Sequence, residues 1–101
     1  MTQNEKYVFF WGGPFSNWFK ADFVIGGIKF NCTEQYMMYN KAMLFKDSET
    51  ADEILACKNP RDHKALGRKV KNFNVDVWNK NAKRIVYDGN RAKFTQNPDL
   101  L

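Results

Sequence analysis

The apolar positions between residues 34 and 45 predict a helix that is buried on nearly every side. At about 100° per residue, large side chains fall on two opposite faces of that helix. One face carries Glu34, Met37, Met38, Lys41 and Phe45, and the other carries Tyr36, Tyr39 and Met43. A helix that is apolar all round is usually buried, so we expect this one to cross the centre of the domain. Thr33 is its expected N-cap, because the hydroxyl can accept a hydrogen bond from a free amide of the first turn.

The alternation of side chains over residues 21–31 predicts a β-hairpin, and the apolar run over residues 7–11 predicts a short buried strand before it. The Gly-Gly pair at 26–27 forms a two-residue turn of the primed type that hairpins favour. This turn pairs Phe23 with Phe30 and places four large apolar side chains on one face of the hairpin.

Capping residues predict three further helices. They are a helix over about 49–57 capped by Asp47 or Ser48, a helix that starts at Asn59-Pro60 and stops at Gly67, and a long helix over about 75–95 capped by Asn74. The inward side of the long helix is expected to carry Val75, Trp78, Ala82, Ile85, Val86, Gly89 and Ala92. The predicted fold is therefore α+β, a mainly helical single domain over residues 1–101 with a small N-terminal β-sheet.

The composition is that of one small globular domain. A chain of 101 residues buries roughly 60–65% of the surface that it exposes when unfolded, and 16% aromatic residues favour a compact core over disorder. No apolar run approaches the roughly 18 residues of a membrane helix, and the first residues lack a signal-peptide pattern. Cys32 and Cys57 are expected to be reduced core thiols of a cytoplasmic protein, with no metal motif and no cofactor. His63 is predicted to lie at the surface.

Charge is distributed unevenly along the chain. Residues 1–57 carry five basic and seven acidic side chains, whereas residues 58–101 carry eleven and four, a net charge of +7. A basic half indicates an anionic partner such as a phosphate, a nucleotide or a nucleic acid. The alternative is a solvated, lysine-rich surface without a partner.

Several polar and aromatic residues are candidates for a site, and each has a simpler structural interpretation. Glu34 begins a buried helix and Lys41 follows two turns later on the same side, and buried charges are costly unless they are paired or used; alternatively, Glu34 only helps to start the helix at the surface. Asn17 and Trp18 suit the wall of a base or sugar pocket. Alternatively, Asn17 makes a turn in a loop that Phe15 and Trp18 attach to the core. Trp78 is either a core anchor or a stacking wall for a base.

Four blocks of the chain resemble the YbiA-like NADAR family, and the resemblance spans essentially all 101 residues. The blocks are Phe10-Trp11-Gly12-Gly13-Pro14-Phe15-Ser16-Asn17-Trp18, Thr33-Glu34-Gln35-Tyr36 with Asn40-Lys41-Ala42, Gly67-Arg68, and Trp78 to Phe94 with Asn97-Pro98. Members of that family resemble N-glycosidases that cleave the bond between a ribose and a base-like nitrogen. The resemblance implies two substrate classes: early riboflavin-pathway ribosylamino-pyrimidine phosphates, and ADP-ribosyl groups on guanine, including guanine in nucleic acid.

The resemblance assigns catalytic roles to Glu34 and Trp78. It places substrate-binding roles on Asn17, Lys41 and Arg68, and the aromatic residues Trp11, Trp18 and Trp78 could hold a base by stacking. Breaking a ribosyl C–N bond develops positive charge on the sugar, and a carboxylate near the anomeric carbon can stabilise that charge or activate water. Lys41 and Arg68 could hold a phosphate, with bidentate geometry open only to arginine.

The resemblance also implies a further helix and an Asp…Trp-Gly block beyond Leu101 that help to close the site. We therefore expect part of the pocket to lie outside these 101 residues. The surface that such a helix would cover is expected to be apolar, and its exposure favours self-association as a homodimer. Two other functions remain open from the sequence: a non-catalytic module that binds a nucleotide or ADP-ribose, and a nucleic-acid-binding protein that uses the basic segment 58–93.

Overall fold

The computed structural model describes residues 16–100, which form four α-helices, a two-stranded antiparallel sheet and a final 3₁₀ turn. The elements are β1 (Phe23–Ile25), β2 (Ile28–Phe30), α1 (Thr33–Leu44), α2 (Ser48–Ala56), α3 (Pro60–Gly67), α4 (Val75–Gln96) and the 3₁₀ turn Pro98–Leu100. This architecture confirms the predicted α+β, mainly helical fold. The strand predicted over residues 7–11 lies outside the described residues. Within residues 16–100, no helix is both long and apolar enough to cross a membrane.

The hairpin has the predicted register. Phe23 pairs with Phe30, and both side chains are 1% exposed. Gly26 and Gly27 have φ values of 60° and 80°, as a type I′ turn requires at both central positions. The outer edge of β1 is covered by Gln96 at the end of α4, whose side-chain amide exchanges hydrogen bonds of 2.8 and 2.9 Å with the main chain of β1.

Helix α1 lies at the centre of the fold and packs against α2, α3 and α4. Two apolar clusters lie on different sides of it, which confirms the prediction of a helix that is buried on opposite faces. Met43 is the exception, since it lies near the end of the helix and is 46% exposed. Buried members of the first cluster are Met38, Ala42, Phe45, Ala51, Ile54 and Val70. Buried members of the second cluster are Phe23, Phe30, Tyr36 and Ile85.

The N-cap of α1 differs from the prediction. Cys32, not Thr33, is the cap, and its Sγ accepts a hydrogen bond from the amide of Gln35 at 3.4 Å. Thr33 is the first helical residue, and its hydroxyl donates to Oδ1 of Asn90 on α4 at 2.8 Å. The prediction used only residues within α1, whereas the buried hydroxyl finds its partner on a helix that is distant in the sequence.

The surface position predicted for His63 is wrong, because the side chain is fully buried. Its Nε2 lies 2.7 Å from the carbonyl oxygen of Cys57, and its Nδ1 lies 3.7 Å from Sγ of Cys32. Since a carbonyl can only accept, Nε2 carries the proton and Nδ1 accepts from the thiol. Burial lowers the pKa of His63 and raises the pKa of Cys32 to about 11. The pair therefore joins α3 to the start of α1 in its neutral form, and both cysteines are free thiols.

The inward side of α4 is largely as predicted, with one exception at its start. Ile85 is 4% exposed and Gly89 is buried, but Val75 in the first turn is 55% exposed. The described contacts that bury this helix come from Trp78 and from Ile85 onwards. The apolar periodicity of the sequence thus begins one turn before the part of α4 that packs against the core.

Gly89→Ala is expected to lower the free energy of unfolding by about 1–3 kcal/mol, the usual cost of overpacking a core. An added Cβ would lie 2.8 Å from a ring carbon of Tyr36 and 3.1 Å from the methyl group of Thr33. A rigid ring has little room to move, so the clash should outweigh the roughly 1 kcal/mol that alanine gains over glycine in a helix. Urea denaturation measures the change, with Asn79→Ala on the exposed side of α4 as the control. A stabilised Gly89→Ala variant would contradict the close packing of α4 on α1.

Candidate active site

The candidate site is centred on the carboxylate of Glu34 in the first turn of α1. The side chain is only 5% exposed. Its amide donates to the main-chain carbonyl of Asn17 at 2.9 Å, and the side chain of Trp18 faces its carboxylate and lowers its pKa. The free amide at the helix start is thus satisfied by the turn that carries Trp18. The alternative in which Glu34 merely starts a helix at the surface is wrong, because the residue is buried.

Burial and three neighbours set the electrostatics of Glu34. Burial raises its pKa, and this effect is opposed by the positive charge of Lys64, by the side chain of Trp18 and by the charge of Lys41. Within residues 16–100 the carboxylate forms no salt bridge. The group is therefore held closer to neutrality than an exposed glutamate, and it faces cations that do not neutralise it by direct contact.

Lys41 lies between aromatic rings on the same side of α1 as Glu34. Its Nζ is 4.7 Å from the ring centroid of Phe73 and 5.7 Å from that of Trp78. Burial lowers the pKa of Lys41, Glu34 opposes that shift, and the positive charge of Arg68 adds to it. Cation–π contacts of this kind hold an ammonium in place without removing its charge.

The structure brings most of the predicted site residues together. Lys41 interacts electrostatically with Glu34 and with Arg68, and the main-chain carbonyl of Asn17 accepts from the amide of Glu34. Trp18 is 44% exposed, so it is not the core anchor of the simpler interpretation. Trp78 packs against both apolar clusters, as a core anchor does, and its ring also lies beside Lys41. Its role as a stacking wall for a base stays a prediction. Trp11 lies outside the described residues.

The sequence interpretation missed two neighbours of the site, Lys64 and Phe73. Lys64 lies one turn before Arg68, so the spacing i, i+4 could have placed both on one side of α3. Phe73 lies in the connector before α4 and is 45% exposed. Its contacts with Lys41 and with the ring of Phe45, at a centroid distance of 5.4 Å, distinguish it from an ordinary surface aromatic residue.

A family model described as NADAR domain matches residues 9–101. The chain belongs to the NADAR domain family. It is 42% identical over 112 residues to a protein of Acanthamoeba polyphaga mimivirus named as an N-glycosidase, in an alignment that covers 98% of this chain and 66% of that protein. It is also 42% identical over 74 residues to Protein irg-1 of Caenorhabditis elegans, with 71% of this chain and 35% of that protein covered. The NADAR domain chain thus spans slightly less than two thirds of the mimivirus protein and about one third of the nematode protein.

The arrangement in this NADAR domain offers three chemical functions at one place. A buried carboxylate with a raised pKa can stabilise a nearby positive charge or accept a proton from water. The ammonium and guanidinium groups of Lys41, Lys64 and Arg68 can attract a phosphate group. The exposed faces of Trp18 and Phe73 offer flat apolar surfaces to a base.

Proposed function

We propose that this NADAR domain acts as an N-glycosidase that hydrolyses the ribose–nitrogen bond of a phosphorylated ribosyl-amine or ADP-ribosyl substrate. The observation that carries the proposal is the buried Glu34 carboxylate, faced by the Trp18 side chain and by cations that leave it unpaired within residues 16–100. The similarity to a protein named N-glycosidase supports the same reaction class.

In the proposed reaction, the bond between the anomeric carbon and the base nitrogen breaks, and its electron pair leaves with the nitrogen. Positive charge develops on the sugar, and the Glu34 carboxylate stabilises it. Water then bonds to the anomeric carbon, one of its protons passes to the leaving nitrogen, and the products are a free ribosyl phosphate and the base. Trp78 borders the base, while Lys41 and Arg68 contact the phosphate.

The proposed substrates follow from the charge of the site. The basic side chains near Glu34 favour a ligand with one or more phosphates, and an exposed tryptophan favours a base. Ribosylamino-pyrimidine phosphates of the early riboflavin pathway and ADP-ribosylated guanine, free or in nucleic acid, both have this combination. The proposal includes both classes, and a comparison of their kcat/KM values would rank them.

Hydrolysis in ¹⁸O-labelled water tests the reaction directly. We expect the released ribose phosphate or ADP-ribose to carry ¹⁸O at the anomeric hydroxyl, since water supplies that oxygen, and mass spectrometry detects it. The matched control is the same protein with a carbocyclic substrate analogue, which cannot form the sugar cation and should remain intact. Binding of the substrate without any release of base would instead identify a non-catalytic ADP-ribose or nucleotide-binding module.

A nucleic-acid-binding function is favoured by one further observation, the basic exposed surface of the second half of the chain. Its exposed members include Lys69, Lys71, Lys80, Lys83, Arg84 and Arg91. A contact of this kind releases counterions, so affinity should fall steeply between low and moderate salt. Affinity for a ribosyl phosphate bound at Glu34 should depend on salt far less, which separates the two functions.

The proposal places the protein in the cytoplasm and includes a homodimer. Large apolar side chains at the described surface, among them Phe73, Val75 and Tyr87, are 45%, 55% and 64% exposed. Such side chains support self-association where they lie together. Light scattering over a range of concentrations measures it, and a monomer at high concentration would remove the dimer from the proposal.

A further inference from the structure

Lys93 of α4 is a fully buried lysine whose charge has no acidic partner within the described residues. Its exposed fraction is 0%. The ammonium donates to the carbonyl oxygen of Ser16 at 3.1 Å and lies 4.9 Å from the ring centroid of Phe94. Burial lowers its pKa. It forms no salt bridge within residues 16–100.

A buried ammonium of this kind costs free energy that a methionine in the same volume would not. Replacement of buried charges by apolar groups of similar size is often neutral or stabilising. Stability alone therefore does not account for a lysine at this position. What distinguishes Lys93 is the group that it contacts, which is one end of the turn formed by residues 16–19.

That turn is held internally and is attached to the candidate site at its other end. The carbonyl and hydroxyl oxygens of Ser16 accept from the amides of Phe19 and Trp18, each at 3.1 Å. The carbonyl of Asn17 accepts from the amide of Glu34 at 2.9 Å, and the Trp18 side chain faces the Glu34 carboxylate and lowers its pKa. Lys93 thus fixes one end of a turn whose other end touches both the main chain and the side chain of Glu34.

We propose that Lys93 is a positioning residue for the reaction of this domain: its ammonium fixes Ser16, and the turn thereby holds the Trp18 indole on the Glu34 carboxylate. This inference rests on the proposed function for its kinetic consequences, but not for its structural ones. Lys93 does not touch the reacting atoms, so it acts only through Ser16, Asn17 and Trp18.

Loss of the Lys93 contact should change the titration of Glu34 in a defined direction. The Trp18 side chain favours the ionised carboxylate, so a turn that leaves Glu34 raises the pKa of the carboxyl further. The other groups that face Glu34 stay in place, namely Lys64 on α3, Lys41 on α1 with Arg68 beside it, and the thiol of Cys32. On acidification, a reaction that needs the ionised carboxylate should therefore lose activity at a higher pH in a Lys93 variant than in the wild-type protein.

The test is ¹⁵N NMR of the Trp18 indole N–H, assigned by its absence in Trp18→Phe. In the wild-type protein we expect this resonance to titrate with Glu34. In Lys93→Met, we expect it to move towards the position of a solvent-exposed indole, with a smaller titration amplitude and a midpoint at higher pH. Lys83→Met removes an exposed charge from the same helix and should leave the resonance unchanged. Lys93→Gln has a neutral side chain that is one bond shorter than lysine, and it should behave as Lys93→Met does. It replaces Lys93→Met in the test if the methionine variant does not fold.

Kinetics on the same variants supply the second readout. Lys93→Met should lower kcat by about 10-fold to 100-fold with little change in KM, because a small displacement of a reacting group has effects of that size. The acid limb of its pH–kcat profile should move to higher pH. The effect of Lys93→Met on kcat should not add to that of Trp18→Phe, since both substitutions act through the same contact of Trp18 with Glu34. An indole resonance and pH profile like those of the wild type in a folded Lys93 variant would overturn the proposal, even if stability fell. A wild-type protein whose indole titrates but which cleaves no ribosyl amine would refute the proposed function alone.

Discussion

Glu34→Gln is expected to reduce turnover of a ribosyl-amine phosphate by ~10²–10³-fold or more, the usual effect of removing a main electrostatic group from a transition state. The neutral amide keeps the shape of the side chain but cannot stabilise a cationic sugar or accept a proton from water. Substrate affinity should fall far less, because phosphate contacts come from Lys41 and Arg68. Single-turnover measurements and binding titrations separate the two effects.

The same substitution should leave the fold intact and can even stabilise it. The N-cap of α1 comes from Cys32, so the loss is confined to a dipole interaction of about 1 kcal/mol or less. Burial raises the folded-state pKa of Glu34 above its usual 4.5, so its contribution to stability is full at acid pH and is lost as the pH rises through that pKa. The melting temperature of Glu34→Gln relative to wild type should therefore increase from acid to neutral pH.

Glu49→Gln is the matched control, because it removes an exposed first-turn carboxylate from α2. It should leave turnover at the wild-type level. Wild-type turnover in Glu34→Gln would show that Glu34 only starts a helix and that the mechanism proposed above is wrong. An unfolded Glu34→Gln protein would show instead that the carboxylate is structural.

Gln35→Leu is expected to lower the free energy of unfolding by about 1–3 kcal/mol. Oε1 of Gln35 accepts from the amide of Asn31 at 2.8 Å, and Nε2 donates to the carbonyls of Ile54 at 3.0 Å and Cys57 at 3.1 Å. The side chain is 3% exposed. Leucine has a similar volume but leaves the main-chain amide of Asn31 without a partner where water has little access, and an unpaired group of this kind costs about 1–3 kcal/mol. The carbonyls of Ile54 and Cys57 each lose one hydrogen bond but still accept from the amide of Cys57 at 3.3 Å and from Nε2 of His63 at 2.7 Å.

Gln96→Leu provides a control with the same chemistry at an exposed site. Its amide also makes two hydrogen bonds to main-chain atoms, those of Val24. Because water can replace these bonds, the expected loss is about 1 kcal/mol or less. Urea denaturation of both variants gives the comparison. Equal losses would mean that Gln35 contributes no more than a surface hydrogen bond and does not join the start of α1 to the end of α2.

The elements that the sequence determined are those set by short-range rules. The hairpin and its register are specified by the Gly26-Gly27 pair, which adopts positive φ values, and by the alternation of apolar side chains around it. Asn59 with Pro60, and Asn74, specify where α3 and α4 begin. Each of these signals lies within a few residues of the feature that it controls, so no knowledge of distant contacts is needed.

Burial of polar side chains was decided only by the tertiary structure. His63 and Lys93 lie in helices whose periodic patterns gave no reason to place them inside, yet both are 0% exposed. A buried polar group is tolerated only where a partner with suitable geometry is present. Those partners, Cys32 and Cys57 for His63 and the Ser16 carbonyl for Lys93, lie up to 77 residues away.

The candidate site shows the same division. The sequence placed Glu34 at the start of a buried helix and Lys41 two turns later, because helical spacing alone fixes that relation. It could not show that Lys64 and Trp18 would face the same carboxylate, since they reach it from α3 and from the turn before the hairpin. The raised pKa of Glu34 depends on how tightly these elements pack and exclude water, and only the folded chain decides that.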